Sequence, residues 1–169
     1  MSQISLFDLM QNTAVSTIAL HSFILGFYNV AKHKENQTPF PKLEYTFFVL
    51  PIVYNQDSLE TFRSSNELYS ALQKDNSIIL GLQERANKMT KQTFGGLNLG
   101  FSKKIFSYNR EEKTIELIKG FQSKKLILPL SMNNSENSVK MIQDCAFKLG
   151  GIFAKRNKKN IQLDLNIIF

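Results

Sequence analysis

The chain has 169 residues, 43% of them hydrophobic, which is enough for one globular domain with a core of its own. Its single cysteine, Cys145, excludes an internal disulfide, predicts a packing role, and fits a reducing, cytoplasmic compartment. The net charge of +7 is concentrated between residues 103 and 159, where thirteen Lys or Arg stand against five Asp or Glu.

The first predicted element is an apolar helix over Ala14–Ala31. Its large apolar side chains cover more than one face, which predicts packing on two sides. The segment resembles a membrane span or a signal helix, but polar residues such as His21 and Asn29 interrupt it. It also falls short of the roughly 20 apolar residues that a span requires. We therefore expect a buried helix of the core.

Two further helical stretches are predicted before residue 75. The run Leu43–Tyr54 contains Pro51, which argues against a central strand and favours a kinked or short helix. Within Asp57–Lys74, Ser64 and Glu67 have the spacing of a capping box, which predicts a helix that begins directly after Ser64.

The central prediction is a helix, a second helix and a β-hairpin between residues 76 and 119. Apolar residues recur at three- and four-residue steps over Ser77–Lys88, and again from Thr90 to Ile105. Alternation then predicts strands at Phe106–Tyr108 and Thr114–Ile118, joined by a polar turn. This order is the outline of a winged helix-turn-helix, a module that reads nucleic acid or docks onto protein.

The outward face of the second helix indicates which of these two roles applies. A helical projection places Phe94, Leu97 and Phe101 inward. A helix that reads base edges presents Arg, Asn or Gln outward, whereas this face carries glycine and leucine. The face therefore predicts contact with a partner protein, and the alternative is a poor helix, frayed or bent at its glycines. The predicted partner-binding residues are Gln92, Gly96, Leu99 and Lys103.

The basic residues around the hairpin predict a surface that attracts the phosphate backbone of DNA without reading its sequence. The alternative is a solvated basic surface with no ligand. The predicted nucleic-acid-binding residues are Lys104, Arg110, Lys113, Lys124 and Lys125.

Beyond the hairpin, residues 124–130 are predicted to be extended and to reach back over the core. Asn134 or Ser135 is placed to cap a helix with an unbroken apolar stripe, which packs either within the chain or against a partner. The stripe consists of Val139, Ile142, Ala146, Leu149 and Phe153. The apolar tail, 160–169, is either tucked into the core or offered to a partner.

The predicted fold is α+β and predominantly helical, with a winged helix-turn-helix-like unit, a short β-hairpin wing, and flanking N- and C-terminal helices. We expect one domain, 1–169, made of a helical lobe at 1–75, the winged-helix-like unit at 76–131 and C-terminal helices at 132–169.

Motifs of catalysis or metal binding are missing from the sequence. The glycines near residue 95 do not form a phosphate-binding loop, and no nucleophile elbow or zinc-protease motif occurs. His21 and His33 lie about 120° apart around a helix, so they do not converge on a metal. We therefore expect no enzyme activity and no cofactor, while a small enzyme assembled from distant residues is a third possibility.

Four segments carry a resemblance to a known family: "SFILGFY", "FPKLEYTFFVLPIVYNQDSLETF", "ERANKMTKQTFGGLNLGF" and "AFKLGGIFAK". Over residues 12–165 the chain resembles the middle component of bacterial three-component ABC-ATPase conflict systems, the Lamassu-like antiphage group. The resemblance implies a non-catalytic adaptor in phage or plasmid defence. Such a subunit holds an ATPase of the structural-maintenance-of-chromosomes (SMC) or Rad50 type together with an effector, often a nuclease. The alternative is a stand-alone winged-helix transcription regulator, which dimerises and prefers a DNA sequence.

Overall fold

The computed structural model of the protein describes residues 12–134 and 137–169. In these ranges the elements are α1 Thr13–Ala31, α2 Leu43–Thr46, α3 Val49–Val53, α4 Gln56–Arg63, α5 Leu68–Lys74, α6 Leu82–Lys88, α7 Thr90–Ser102, β1 Phe106–Asn109, β2 Thr114–Leu117, α8 Ser138–Ala154 and α9 Lys158–Leu165. Three short 3₁₀ turns lie at Asn76–Ile79, Lys119–Phe121 and Leu130–Met132.

Helix α1 lies at the centre, packed between α7 and α8, so the predicted two-sided packing is confirmed. Asn12 caps its start, because its side-chain oxygen accepts from the backbone N–H of Ala14 at 2.9 Å. The helix is long and apolar enough to cross a membrane, yet 72% of its apolar window is buried inside the protein. Such burial is that of a core helix.

The α1–α8 crossing brings two backbones into direct contact. A Cβ added at Gly26 of α1 would lie 2.8 Å from the carbonyl carbon of Phe147. A Cβ added at Gly150 of α8 would lie 2.7 Å from the backbone nitrogen of Phe27. Only glycine fits at either position, so these two residues set the distance between the helices.

Residues 43–74 form four short helices. Helices α2 and α3 confirm the prediction of short or kinked helix in this run, and Pro51 lies within α3. The predicted capping box is wrong: Ser64 ends α4 instead of starting a helix, because its backbone N–H donates to the carbonyl of Glu60 at 3.3 Å. Helix α5 begins at Leu68 without a side-chain cap.

The predicted helix over Ser77–Lys88 is divided into a 3₁₀ turn and α6. Gly81 lies between them with φ of +64°, a left-handed conformation that interrupts the helix and that glycine adopts without strain. Arg85 spans the break, since its guanidinium donates to the carbonyls of Leu80 at 2.6 Å and Ile78 at 3.1 Å.

The hairpin pairs β1 and β2 antiparallel, from Phe106 opposite Leu117 to Asn109 opposite Thr114, which confirms the predicted strands to within a residue. The Asn109 side chain accepts from two backbone N–H groups of the turn at 3.1 Å, and Lys113 closes the turn with φ of +53°. Backbone hydrogen bonds tie the hairpin to the segment before α2: Leu43 donates to Lys113, and Ile115 donates to Pro41.

Residues 124–130 form a strap over α8, as predicted, and its last residue, Leu130, begins a 3₁₀ turn. Asp144 of α8 accepts from Lys125 at 2.7 Å, and Gln143 donates to the carbonyl of Leu126 at 2.8 Å. Leu128 is buried beneath the strap, whereas Ile127 is 83% exposed. The strap is therefore held by polar contacts and leaves apolar side chains in solvent.

Helix α8 is capped by Asn137, whose side chain accepts from Val139 at 2.9 Å, so the predicted cap at Asn134 is wrong. The alternative cap, Ser135, lies outside the described residues. The apolar stripe from Val139 to Phe153 is buried, which confirms packing within the chain.

The tail is partly tucked into the core. Ile161, Leu165 and Ile167 are buried, and the Phe169 ring packs 4.8 Å from that of Tyr45. Ile168, in contrast, is 76% exposed.

Candidate protein-binding surfaces

Helix α7 is rotated relative to the prediction, because small residues face α1. Thr93, Gly96, Leu97 and Gly100 are the buried residues of α7. Of the three residues predicted inward, Leu97 is buried as predicted and Phe101 is partly buried against the core. Phe94 is instead 46% exposed, and its ring lies 5.1 Å from that of Phe47. The hydroxyl of Thr17 in α1 donates to the Gly96 carbonyl at 2.9 Å.

The structure therefore corrects one predicted partner contact: Gly96 is buried against α1 of the same chain and is not on the surface. Leu99 and Gln92 are half-buried, and the Gln92 Oε1 atom has no hydrogen-bond partner among the described residues. Lys103 is exposed at the end of the helix. Partner binding by these three residues stays a prediction.

Alanine at Gly96 tests this packing. The new Cβ would lie 2.8 Å from the Ser16 Cβ and 3.0 Å from the Leu20 Cδ1 atom, so α1 and α7 must separate. We expect Gly96→Ala to lower the free energy of unfolding by about 1–3 kcal/mol in urea titrations. The matched control is Gly95→Ala, where the nearest atom, Thr13 Cγ2, is at an ordinary 3.6 Å. Equal stability of the two variants would contradict the assignment.

Four of the five predicted phosphate contacts lie on the surface. Lys104, Arg110, Lys113 and Lys124 are exposed. Lys125 is instead engaged within the chain: its ammonium binds Asp144 at 2.7 Å and lies 4.6 Å from the centre of the Phe147 ring. Lys125 is therefore an anchor of the strap and not a free phosphate contact as predicted.

A groove that the sequence did not predict lies between α2, α6, the hairpin and the tail. It encloses about 610 Å³ and is lined by residues from 42–48, 83–90, 108–113, 158 and 168–169. Five aromatic side chains contribute to its lining: Tyr45, Phe47, Phe48, Tyr108 and Phe169. We call it the aromatic groove.

The rim of the aromatic groove combines exposed apolar groups with lysines. Tyr108 is 43% exposed and Ile168 is 76% exposed. Three lysines and one glutamate also line it, and the Lys158 ammonium binds the Glu44 carboxylate at 2.8 Å. The charged lining residues are Lys42, Glu44, Lys113 and Lys158.

Tyr45 is a titratable residue in the lining of the aromatic groove. Burial, with the nearby Glu44 carboxylate, raises the pKa of Tyr45 to about 12, so its phenol stays protonated at neutral pH. No histidine or cysteine lines the groove. Across residues 12–134 and 137–169, no three potential ligands converge on a metal position.

His21 is buried elsewhere, against the residues that follow the hairpin. Its Nε2 lies 3.0 Å from the carbonyl oxygen of Phe121, which fixes the proton on Nε2, while Nδ1 has no partner among the described residues. Burial lowers the pKa of His21, and the Phe121 carbonyl opposes this only in part.

Stability should therefore fall as the pH drops. Below a pH of about 6.5, His21 binds a proton in the unfolded chain but resists it in the folded chain. Lowering the pH from about 6.5 to the lower pKa of folded His21 therefore reduces the free energy of unfolding. We expect the melting temperature of the wild type to fall between pH 7.5 and 5.5 more steeply than that of His21→Gln. The control His33→Gln, at an exposed site, should keep the wild-type slope. Parallel slopes for wild type and His21→Gln would refute this.

Comparison with known proteins places the chain in a family. The family model described as ABC-three component (ABC-3C) system Middle Component 3 matches residues 2–167. No curated protein and no solved structure matches the chain significantly. Because the match covers nearly the whole sequence, the chain belongs to the Middle Component 3 family of ABC-three component systems.

Proposed function

We propose that the chain is a non-catalytic adaptor subunit of a Lamassu-like antiphage or anti-plasmid complex in the bacterial cytoplasm. It bridges an ABC ATPase of the SMC or Rad50 type and an effector subunit of the nuclease type. The observation that carries the proposal is the family match, because a middle component works with the other components of its system.

The surface supports an adaptor role. The aromatic groove offers one apolar surface, and the strap offers another, where Ile127 is 83% and Leu130 is 95% exposed. Large apolar side chains left in solvent in groups mark interaction sites. A subunit that bridges two proteins needs two such surfaces on different elements, and the groove and the strap meet this need.

The hairpin supports an additional contact with DNA held by the ATPase. Lys104, Arg110 and Lys124 are exposed and remain available to phosphate. This proposal includes the assignment of α6, α7 and the hairpin as a winged-helix unit. Each phosphate contact would add about one unit to the slope of log affinity against log salt.

Pairwise pull-downs test the adaptor. The tagged chain is co-expressed with the ATPase subunit alone and with the effector subunit alone, and retention is measured at two salt concentrations. The proposal predicts a stable complex with each. If the chain does not retain the ATPase, or does not retain the effector, the proposal is refuted. If the isolated chain is a dimer that prefers one DNA sequence, the transcription regulator is favoured instead.

A further inference from the structure

We propose that the aromatic groove binds an acidic, amphipathic segment of a partner subunit. This inference rests on the proposed adaptor function and names the chemistry of one of its contacts.

The accessible part of the lining is apolar. Tyr108 is 43% and Ile168 is 76% exposed, Phe47 and Phe169 are half-buried, and all four line the groove with the buried rings of Tyr45 and Phe48. Burying such aromatic surface supplies most of the energy of a protein interface, with aromatic side chains as its anchors. The occupant must therefore present apolar side chains on one face.

The walls are held in place before any partner arrives. On one side the hairpin is tied to the chain before α2, where Leu43 donates to the Lys113 carbonyl at 2.9 Å. On the other side the backbone N–H of Ile168 donates to the Gln83 Oε1 atom at 2.8 Å. A preformed groove binds without the cost of ordering its own walls.

The charge of the rim indicates the charge of the segment that binds there. Lys158 is paired with Glu44, and Lys42 lies 3.5 Å from Glu112. Lys113 is exposed and has no anionic partner among the residues that the structure describes, so the rim keeps an excess of positive charge. Acidic residues beside the apolar ones complement this rim, whereas a basic segment is repelled. A nucleic-acid duplex would match the lysines, but its bases stack within the duplex and would leave the aromatic lining unfilled.

Photo-crosslinking identifies the occupant directly. Tyr108→p-benzoylphenylalanine is introduced into the chain, the chain is co-expressed with its ATPase and effector subunits, and crosslinked peptides are sequenced by mass spectrometry. We expect a peptide from one of these subunits with more Asp and Glu than Lys and Arg. The same crosslinker at Ile127, on the strap, should capture a different peptide.

Affinity measurements with matched variants test the two halves of the argument. Ile168→Asp is expected to weaken binding of the purified partner about tenfold or more, whereas Leu163→Asp, at a similarly exposed apolar residue outside the groove and the strap (68% against 76%), should leave that partner's affinity unchanged. Lys113→Glu should weaken binding and reduce its salt dependence. Its control is Lys119→Glu, because this lysine is also exposed and does not line the groove.

The outcomes separate this inference from the adaptor function. If wild-type chain retains its partners but the groove variants bind as tightly as the controls, the groove proposal is wrong and the adaptor stands. A basic crosslinked peptide, or crosslinks to nucleic acid only, also overturns it. If the wild type retains neither subunit, both proposals fail.

Discussion

Alanine at Gly26 or at Gly150 is expected to lower the free energy of unfolding by roughly 3 kcal/mol or more, a cost typical of severe core overpacking. Each added methyl group meets backbone atoms of the facing helix: the carbonyl carbon of Phe147 at 2.8 Å, and the nitrogen of Phe27 at 2.7 Å. Backbone cannot rotate aside as a side chain does, so α1 and α8 must move apart along the centre of the core. Urea unfolding followed by circular dichroism measures the loss.

The neighbouring glycine provides the control. At Gly151 an added Cβ would lie 3.5 Å from the Val30 Cγ2 atom, which is an ordinary contact. Gly151→Ala should therefore be neutral or stabilise the helix by up to about 1 kcal/mol. If Gly26→Ala, Gly150→Ala and Gly151→Ala unfold at the same urea concentration, the close crossing of α1 and α8 does not exist.

The second large effect is expected at Phe153 of α8. Its side chain is fully buried, with its ring 5.4 Å from Phe23 of α1 and 5.9 Å from Tyr45 of α2. Phe153→Ala removes contacts to two other elements and leaves a cavity, which should cost about 3–5 kcal/mol. The measurement is again the free energy of unfolding in urea.

Phe94→Ala is the matched control for this second prediction. Phe94 is 46% exposed and contacts the Phe47 ring at the surface, so its truncation should cost no more than about 1 kcal/mol. If Phe94→Ala lowered the free energy of unfolding as much as Phe153→Ala, Phe94 would have to lie in the core. That result would contradict the observed orientation of α7.

The longest elements were predictable from sequence because their patterns are long. The stripe on α8 and the two-sided apolar surface of α1 each run over several turns, and the hairpin combines alternation with a polar turn. Local signals were less reliable. Ser64 has the spacing of a helix start but closes α4, and Gly81 divides a helix that periodicity alone joins.

The face of α7 was misjudged because bulky residues were assumed to point inward. In the structure α1 approaches so closely that small residues occupy the contact, and Phe94 is displaced to the surface. A usable signal was present: Thr93, Gly96 and Gly100 recur at helical spacing, which marks a face suited to close packing. In the structure, Gly96 lies against α1 and Gly100 lies against Phe106 of β1.

The aromatic groove was beyond reach of sequence reasoning. Its walls come from residues 42–48, 83–90, 108–113 and the tail, and no spacing in the chain indicates that they meet. Lys113 is an example. From its place in a basic stretch of sequence we predict phosphate binding, whereas the fold places it on the rim of the aromatic groove.

The bridging function is tested most directly by leaving this chain out. Tagged ATPase is purified from cells that express all three components, and from cells that lack only this one, and the mass of each complex is measured. The adaptor account predicts that the effector is retained with the ATPase only when the chain is present, in a complex that contains all three. Retention of the effector without the chain would contradict it.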